Sequence, residues 1–196
     1  SMQLYTTRHF QPYEPILKFL SESGIVNIVL FGFMGTGKSV VGKILSQKLN
    51  YDLIEMDHII ESDEGQSINK IFEIKGEAYF RSLEFKLAEK ISNFSFKIIS
   101  TGGGVVLNEK NIENLCKNGF GVCLNADAST ICQRIQNDKT RPLVNTDKKN
   151  IKQKLNKISK LLNERKSMYQ RIPYQINTDD LDPNLIADKI ILEYKK

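Results

Sequence analysis

The sequence predicts an α/β fold of three layers, in which a central parallel five-stranded sheet is flanked by helices. Three observations carry this: short apolar runs without polar alternation, helical periodicity between them, and a glycine-rich junction directly after the first run. Strands covered on both faces lose the in-and-out alternation of half-buried strands. Strands that alternate with helices imply right-handed crossovers into a parallel sheet.

Residues 1–24 precede the pattern as a partly helical appendage. Pro12 and Pro15 bracket an irregular opening, after which Ile16, Leu17, Phe19 and Leu20 mark one apolar face of a short helix ending near Gly24. Docking on the body is the simpler reading; a partner-binding or oligomerisation element is the other. Residues 25–196 form the main domain. Val26–Phe31, Phe96–Ser100 and Gly121–Leu124 read as buried strands, with weaker candidates at Leu53–Met56 and Tyr174–Asn177. Helical periodicity covers Lys38–Leu49, Gly76–Ser92, Asp127–Asn137, Ile151–Tyr169 and Pro183–Tyr194. The polar, charged stretch Asp138–Asn150, which contains Pro142, reads as a mobile lid between two helices.

A chain of 196 residues suits one such domain, and 40% hydrophobic with 26% charged residues is ordinary globular usage. The net charge of +5 favours anionic partners without naming them. Lys148, Lys149, Lys152, Lys154, Lys157 and Lys160 are not interleaved with aromatics and read as solvated helix faces, so no nucleic acid is expected. Cys116, Cys123 and Cys132 form no CxxC pair and have only His9 and His58 as companions, which fits a reduced, cytoplasmic protein. No apolar run has the length a membrane helix needs, and the N-terminus lacks the order of a secretory signal.

Gly32-Phe33-Met34-Gly35-Thr36-Gly37-Lys38-Ser39 fits the P-loop pattern G-x-x-x-x-G-K-[ST], following a strand and opening a helix. Its backbone must wrap phosphate oxygens closely, which side chains at the glycines would prevent. The following helix adds its positive N-terminal end. Lys38 suits the β and γ phosphates of a nucleotide, and the Ser39 hydroxyl is a hard oxygen ligand for Mg²⁺. The motif establishes a nucleotide site without distinguishing a kinase from a switch.

A kinase needs a second pocket, and polar groups gather at the predicted C-terminal strand ends, where open α/β sheets bind ligands. Glu55-Met56-Asp57 closes the second strand, and alternation would put both carboxylates on one side. Ser100-Thr101-Gly102-Gly103-Gly104 ends the third; the glycines admit backbone contact with a substrate oxygen, or simply make a tight turn. Arg81 and Glu84 lie three apart on a helix, so they are either a surface pair or an arginine with its orienting partner. Arg134, Arg141 and Arg165 add cations, each of which taken singly fits solvated surface.

Taken in order, the P-loop, D-x-D, G-E-x-x-F-R-x-x-E, T-G-G-G, R-P-L and R-x-x-[LM]-Y motifs resemble the shikimate kinase family from about Asn27 to the C-terminus. The resemblance implies transfer of the γ-phosphate of ATP to the 3-hydroxyl of shikimate, in aromatic amino-acid (chorismate) biosynthesis, by a monomeric cytoplasmic enzyme. It implies ATP contacts from Gly35, Thr36, Gly37, Lys38, Ser39 and Val40, with Arg134 and Pro183 flanking the adenine. Arg141 is implied to swing in with the lid onto the phosphates, joining Lys38 and Asp57 as catalytic groups, while Ser39 serves the Mg²⁺. Asp57, Arg81, Gly103 and Arg165 are implied to bind the acceptor, the two arginines clamping its carboxylate. The sequence departs from the family's D-x-D at Glu55, a methylene longer than the usual Asp in a position implied to hold the metal's water shell. Val144 follows R-P-L where the family has Leu.

Two other readings share the P-loop. A gluconate or nucleoside monophosphate kinase would need a differently shaped acceptor pocket, and a non-catalytic nucleotide-binding module would have lost the acceptor groups. A GTPase is disfavoured by the lack of an N-K-x-D signature.

Overall fold

The computed structural model describes residues 24–135 and 151–196. The appendage up to residue 23, the expected lid at 138–150 with Arg141 and Val144, and the last two residues of the helix expected over 127–137 lie outside them. Five parallel strands form one sheet: β1 (Asn27–Phe31), β2 (Asp52–Glu55), β3 (Lys97–Ser100), β4 (Gly119–Asn125) and β5 (Tyr174–Asn177). Their order is β2-β3-β1-β4-β5. Ile28 pairs with Ile98 on one side of β1 and with Phe120 on the other, which puts the C-terminal ends of β1, β3 and β4 at one edge.

The helices are α1 (Lys38–Leu49), α2 (Met56–Glu64), α3 (Ile68–Ile91), α4 (Glu109–Cys116), α5 (Ala128–Arg134), α6 (Ile151–Tyr169) and α7 (Pro183–Tyr194). Helices α1 and α7 cover one face, where Ile28, Leu30 and Ile98 meet Val41, Leu45, Ile186 and Ile190. The opposite residues of the same strands, Val29, Phe31 and Ile99, pack with α2 to α6 through Met56, Ile71, Ala88, Leu115, Ile131 and Ile158. Consecutive strand residues therefore serve two separate cores, which is why the strands read as unbroken apolar runs.

Two sequence expectations change. Strand β2 stops at Glu55, and Met56 opens α2, so Asp57 sits in the first turn of a helix. Helices α2 and α4 and the first turns of α3 were not expected. Their local signals are present nonetheless. Gly65 takes φ 64° at the end of α2, the Ser67 hydroxyl accepts from Lys70 N at the start of α3, and Asn108 caps α4 by accepting from Lys110 N. Helix α3 is interrupted at Gly76 (φ 80°, ψ 166°), close to where the sequence starts its helix.

Because α1 leaves β1 on one face toward β2 and α4 leaves β3 on the other toward β4, the direction of strand addition reverses between the parallel neighbours β1 and β3. A crevice opens outside the carboxyl ends of neighbouring strands at such a point. Truncating Ile99, fully buried at the centre of the larger core, is expected to cost about 2–5 kcal/mol. Urea denaturation of Ile99→Ala should show a lower midpoint with the slope unchanged.

Candidate active site

The loop from β1 to α1 folds as its glycines require. Gly37 adopts φ 98°, a left-handed conformation that side chains resist, and caps α1 without a side-chain bond. A Cβ on Gly32 would meet the carbonyl oxygen of Leu124 and lie 2.8 Å from Thr36 Oγ1. The loop is tied internally through Phe33 O, which accepts from Thr36 Oγ1 at 2.8 Å and from Lys38 Nζ at 2.9 Å; Lys38 also donates to Gly32 O at 2.7 Å. Ser39 and Val40 are exposed at the start of the helix.

A cavity of about 420 Å³ opens here, bordered among others by Gly35, Gly37, Lys38, Ser39, Val40 and Arg134 on one side and by Glu55, Asp57 and Thr101 on the other. Glu55 and Asp57 share it although strand alternation does not place them there; the turn from β2 into α2 does. His58 and Glu61, which the sequence reading passed over, line it as well. Their cue is α2 itself, since 57, 58 and 61 fall on neighbouring positions of one helix.

The three glycines after β3 do turn, with Val105 N donating to Gly102 O at 3.2 Å, but none takes a left-handed φ, so the turn alone does not require glycine. Space does. A Cβ on Gly102 would lie 2.6 Å from Asp57 Oδ1 and 2.7 Å from Glu84 Oε1, one on Gly103 would lie 3.3 Å from Met34 N in the P-loop, and one on Gly104 would strike the Arg81 guanidinium. Gly103 O accepts from Tyr169 Oη at 2.6 Å and from Arg165 Nη1 at 3.4 Å. Arg165 is itself buried, with its guanidinium 5.7 Å from the Phe33 ring centroid. Asp57, Arg81 and Arg165 thus surround one short stretch of backbone, Gly102–Gly104, beside the P-loop.

Arg81 pairs with Glu84 and with Glu77, the latter at 2.8 Å. Glu84 is 1% exposed, which decides the open question: it is a buried partner of the arginine and no surface pair. Burial pushes its carboxyl up to about 7. The charge of Arg81 opposes that shift and the charge of Asp57 adds to it. Its Oε1 has no hydrogen-bond partner. Burial likewise raises the Tyr169 phenol, which therefore stays a donor to Gly103 O.

Arg134 donates to Gly35 O (3.3 Å), Thr178 Oγ1 (3.1 Å), Thr178 O (2.7 Å) and Asp179 O (3.3 Å), so it ties the P-loop to the loop after β5. Pro183 opens α7 just beyond that loop and is not among the residues bordering the cavity. Arg81, Gly103 and Arg165 do not border it either, and reach it through Asp57, Glu84 and the P-loop backbone. Among the described residues no group of three or more His, Cys, Asp or Glu could hold a metal by itself, and no helix is long and apolar enough to cross a membrane.

The family model for shikimate kinase matches residues 34–195. The chain belongs to the shikimate kinase family. It is 45% identical over 165 residues to a shikimate kinase of Caldicellulosiruptor bescii, covering 84% of this chain and 93% of that protein. A shikimate kinase of a Sulfurihydrogenibium species is 44% identical over 170 residues, 87% of this chain and 98% of that protein. The shikimate kinase of Acinetobacter baumannii, solved in complex with shikimate, superposes with a TM-score of 0.80 at 32% identity, over 91% of this chain and 96% of that one. This shikimate kinase is accordingly an ATP-dependent phosphotransferase, with the five-stranded parallel sheet of its family.

Glu84 gives this shikimate kinase a pH signature. Between the ordinary carboxyl value of 4.5 and about 7 the folded state keeps a proton that the unfolded state releases, so the contribution of Glu84 to stability falls as pH rises through that window. Glu84→Gln removes the titration. The melting temperature of the variant relative to wild type should rise across the window, and a difference that does not vary with pH would contradict the assignment.

Proposed function

We propose that the cavity and the backbone beside it form one active site, in which the γ-phosphate of ATP passes to the 3-hydroxyl of shikimate. The observation that carries this is the convergence of Asp57, Arg81 and Arg165 on Gly102–Gly104, a stretch that also touches the P-loop. An acceptor with one carboxylate and several hydroxyls matches it: two guanidinium groups suit the carboxylate, and an aspartate accepts from a hydroxyl. Gluconate or a nucleoside monophosphate would also have to fit this arrangement, and the buried, ring-packed Arg165 favours a compact acid.

In this reading the P-loop amides and Lys38 hold the ATP phosphates, and Gly35, Thr36, Gly37, Ser39 and Val40 complete the nucleotide contacts. Arg134, whose edge is occupied by four acceptors, would meet the adenine through its flat face, with Pro183 nearby. Arg81 and Arg165 clamp the acceptor's carboxylate and Gly103 contacts it through the backbone. Asp57 orients the hydroxyl and takes its proton, and positioning does most of the rest. Arg141 and the lid at 138–150 would close over the phosphates.

The donors present fit Mg²⁺: the exposed Ser39 and the Glu55 and Asp57 carboxylates border the same cavity, all hard oxygens, and too few to form a complete protein cage. Ser39, with Glu55 acting through water, would hold the ion, which when bound neutralises charge on the phosphates. Residues 1–24 are an appendage to a 25–196 kinase domain, and the enzyme works as a cytoplasmic monomer without nucleic acid or membrane.

A coupled ADP-release assay over shikimate, quinate, gluconate and AMP tests the reading, with turnover expected on shikimate. Gluconate or AMP as the better acceptor would overturn it. In the same assay Arg81→Ala should raise the shikimate KM roughly 10- to 100-fold, the effect of losing charged hydrogen bonds, with a smaller change in kcat. An unchanged KM removes Arg81 from the acceptor site.

A further inference from the structure

We infer that Thr178 is a positioning residue for the nucleotide, its hydroxyl bracing the phosphate cradle from the β5 side. Thr178 stands at the end of β5 and is 1% exposed. Its Oγ1 lies 3.1 Å from Thr36 O in the P-loop, 3.0 Å from Asn125 O at the end of β4, and 3.1 Å from Arg134 Nη1. A hydroxyl has one proton to give and lone pairs with which to accept. Arginine can only donate, so Oγ1 accepts from Arg134. The hydroxyl's one proton has two carbonyls in reach, Thr36 O and Asn125 O; Asn125 O keeps the Thr178 amide at 2.8 Å in either case, so Thr36 O is the acceptor that depends more on the hydroxyl.

This oxygen therefore joins three segments that are remote in sequence: the P-loop, the β4 terminus and the guanidinium of α5. Arg134 tightens the same joint by donating also to Gly35 O, one residue before Thr36, and to the carbonyls of Thr178 and Asp179. Thr36 is 1% exposed, so its carbonyl has little recourse to water if the hydroxyl is removed. The loop would then relax at residues 35 and 36, where Gly35, Gly37 and Lys38 border the cavity. Asp57, Gly102–Gly104 and Arg81 lie beyond β1 from β5, and Arg165 bonds Gly103 O and neither Thr178 nor Thr36, so the acceptor side is expected to feel the change least.

The inference rests on reading the P-loop as the ATP site, and its test separates the two. Thr178→Val keeps the shape and loses the hydroxyl, Thr178→Ala loses it without any risk of overpacking, and Thr178→Ser retains it. Titration calorimetry with ATP and Mg²⁺, and separately with shikimate, reads each binary affinity. Both hydroxyl-free variants should bind ATP roughly tenfold more weakly, the order expected when a buried acceptor loses its donor. Shikimate affinity should hold, and Thr178→Ser should stay near wild type on both ligands. Unchanged ATP affinity in Thr178→Val and Thr178→Ala would overturn the inference alone. Equal loss of both ligands, or failure of Thr178→Ser to restore ATP binding, would overturn it in favour of a general folding role. Wild-type protein that did not bind ATP would overturn the underlying reading as well.

Discussion

The backbone of residues 102–104 runs between the phosphate cradle and a knot of charged side chains, and it fits because no β-carbon projects from it. Gly102 leaves room for the carboxylates of Asp57 and Glu84, Gly103 lies against the P-loop amide of Met34, and Gly104 makes way for the Arg81 guanidinium. Any side chain there would drive apart groups that must act together. Burying such charges is costly unless they compensate one another. Here Arg81 pairs directly with Glu84, and burial still holds the Glu84 proton more tightly than a solvated carboxyl would, against the opposing charge of the arginine.

That passage is possible only where β1 and β3 are neighbours with their following helices on opposite faces. Thr101 fixes the junction by donating both its amide and its hydroxyl to Leu30 O, at 3.1 and 2.9 Å. The glycine turn therefore emerges at the same height as the P-loop. The charged side chains arrive from elements that owe their places to the larger core: α2 through Met56 and Ile60, α3 through Phe80 and Ala88, and α6 through Ile158 and Tyr169. Packing on that face sets the position of Arg81 and Arg165 around the glycine backbone.

What could be read beforehand was whatever the chain encodes locally. The P-loop spelled itself out in eight consecutive residues, and five apolar runs corresponded to the five strands within a few residues at their ends. Helix α4 went unread although Asn108 caps it, because eight residues offer barely two turns of periodicity. Asp57 came to the right cavity for the wrong reason, through a helical turn instead of strand alternation. The glycines of 102–104 were visible but not their purpose, since the groups that need the space sit at 57, 81 and 84. Whether Glu84 orients Arg81 or decorates a surface depended on burial, which three-residue spacing does not determine.

Thr178 lies beyond such reading altogether, because its partner in the P-loop is 142 residues away. Its place in the sheet shows why the two halves of the site can be tuned separately. The P-loop belongs to the central strand and is flanked on both sides: from β3 by the close-lying glycine backbone at Met34, and from β5 by the hydroxyl bonded to Thr36 O. The first also meets Asp57, Arg81 and Arg165, the groups proposed to bind the acceptor, whereas the second, shared with Arg134, has no direct bond to them. A perturbation on the β3 flank should therefore reach both substrates, while one on the β5 flank should be confined to the nucleotide. Opposed anchoring of this kind lets one short loop keep its shape while different neighbours determine what it meets on either side.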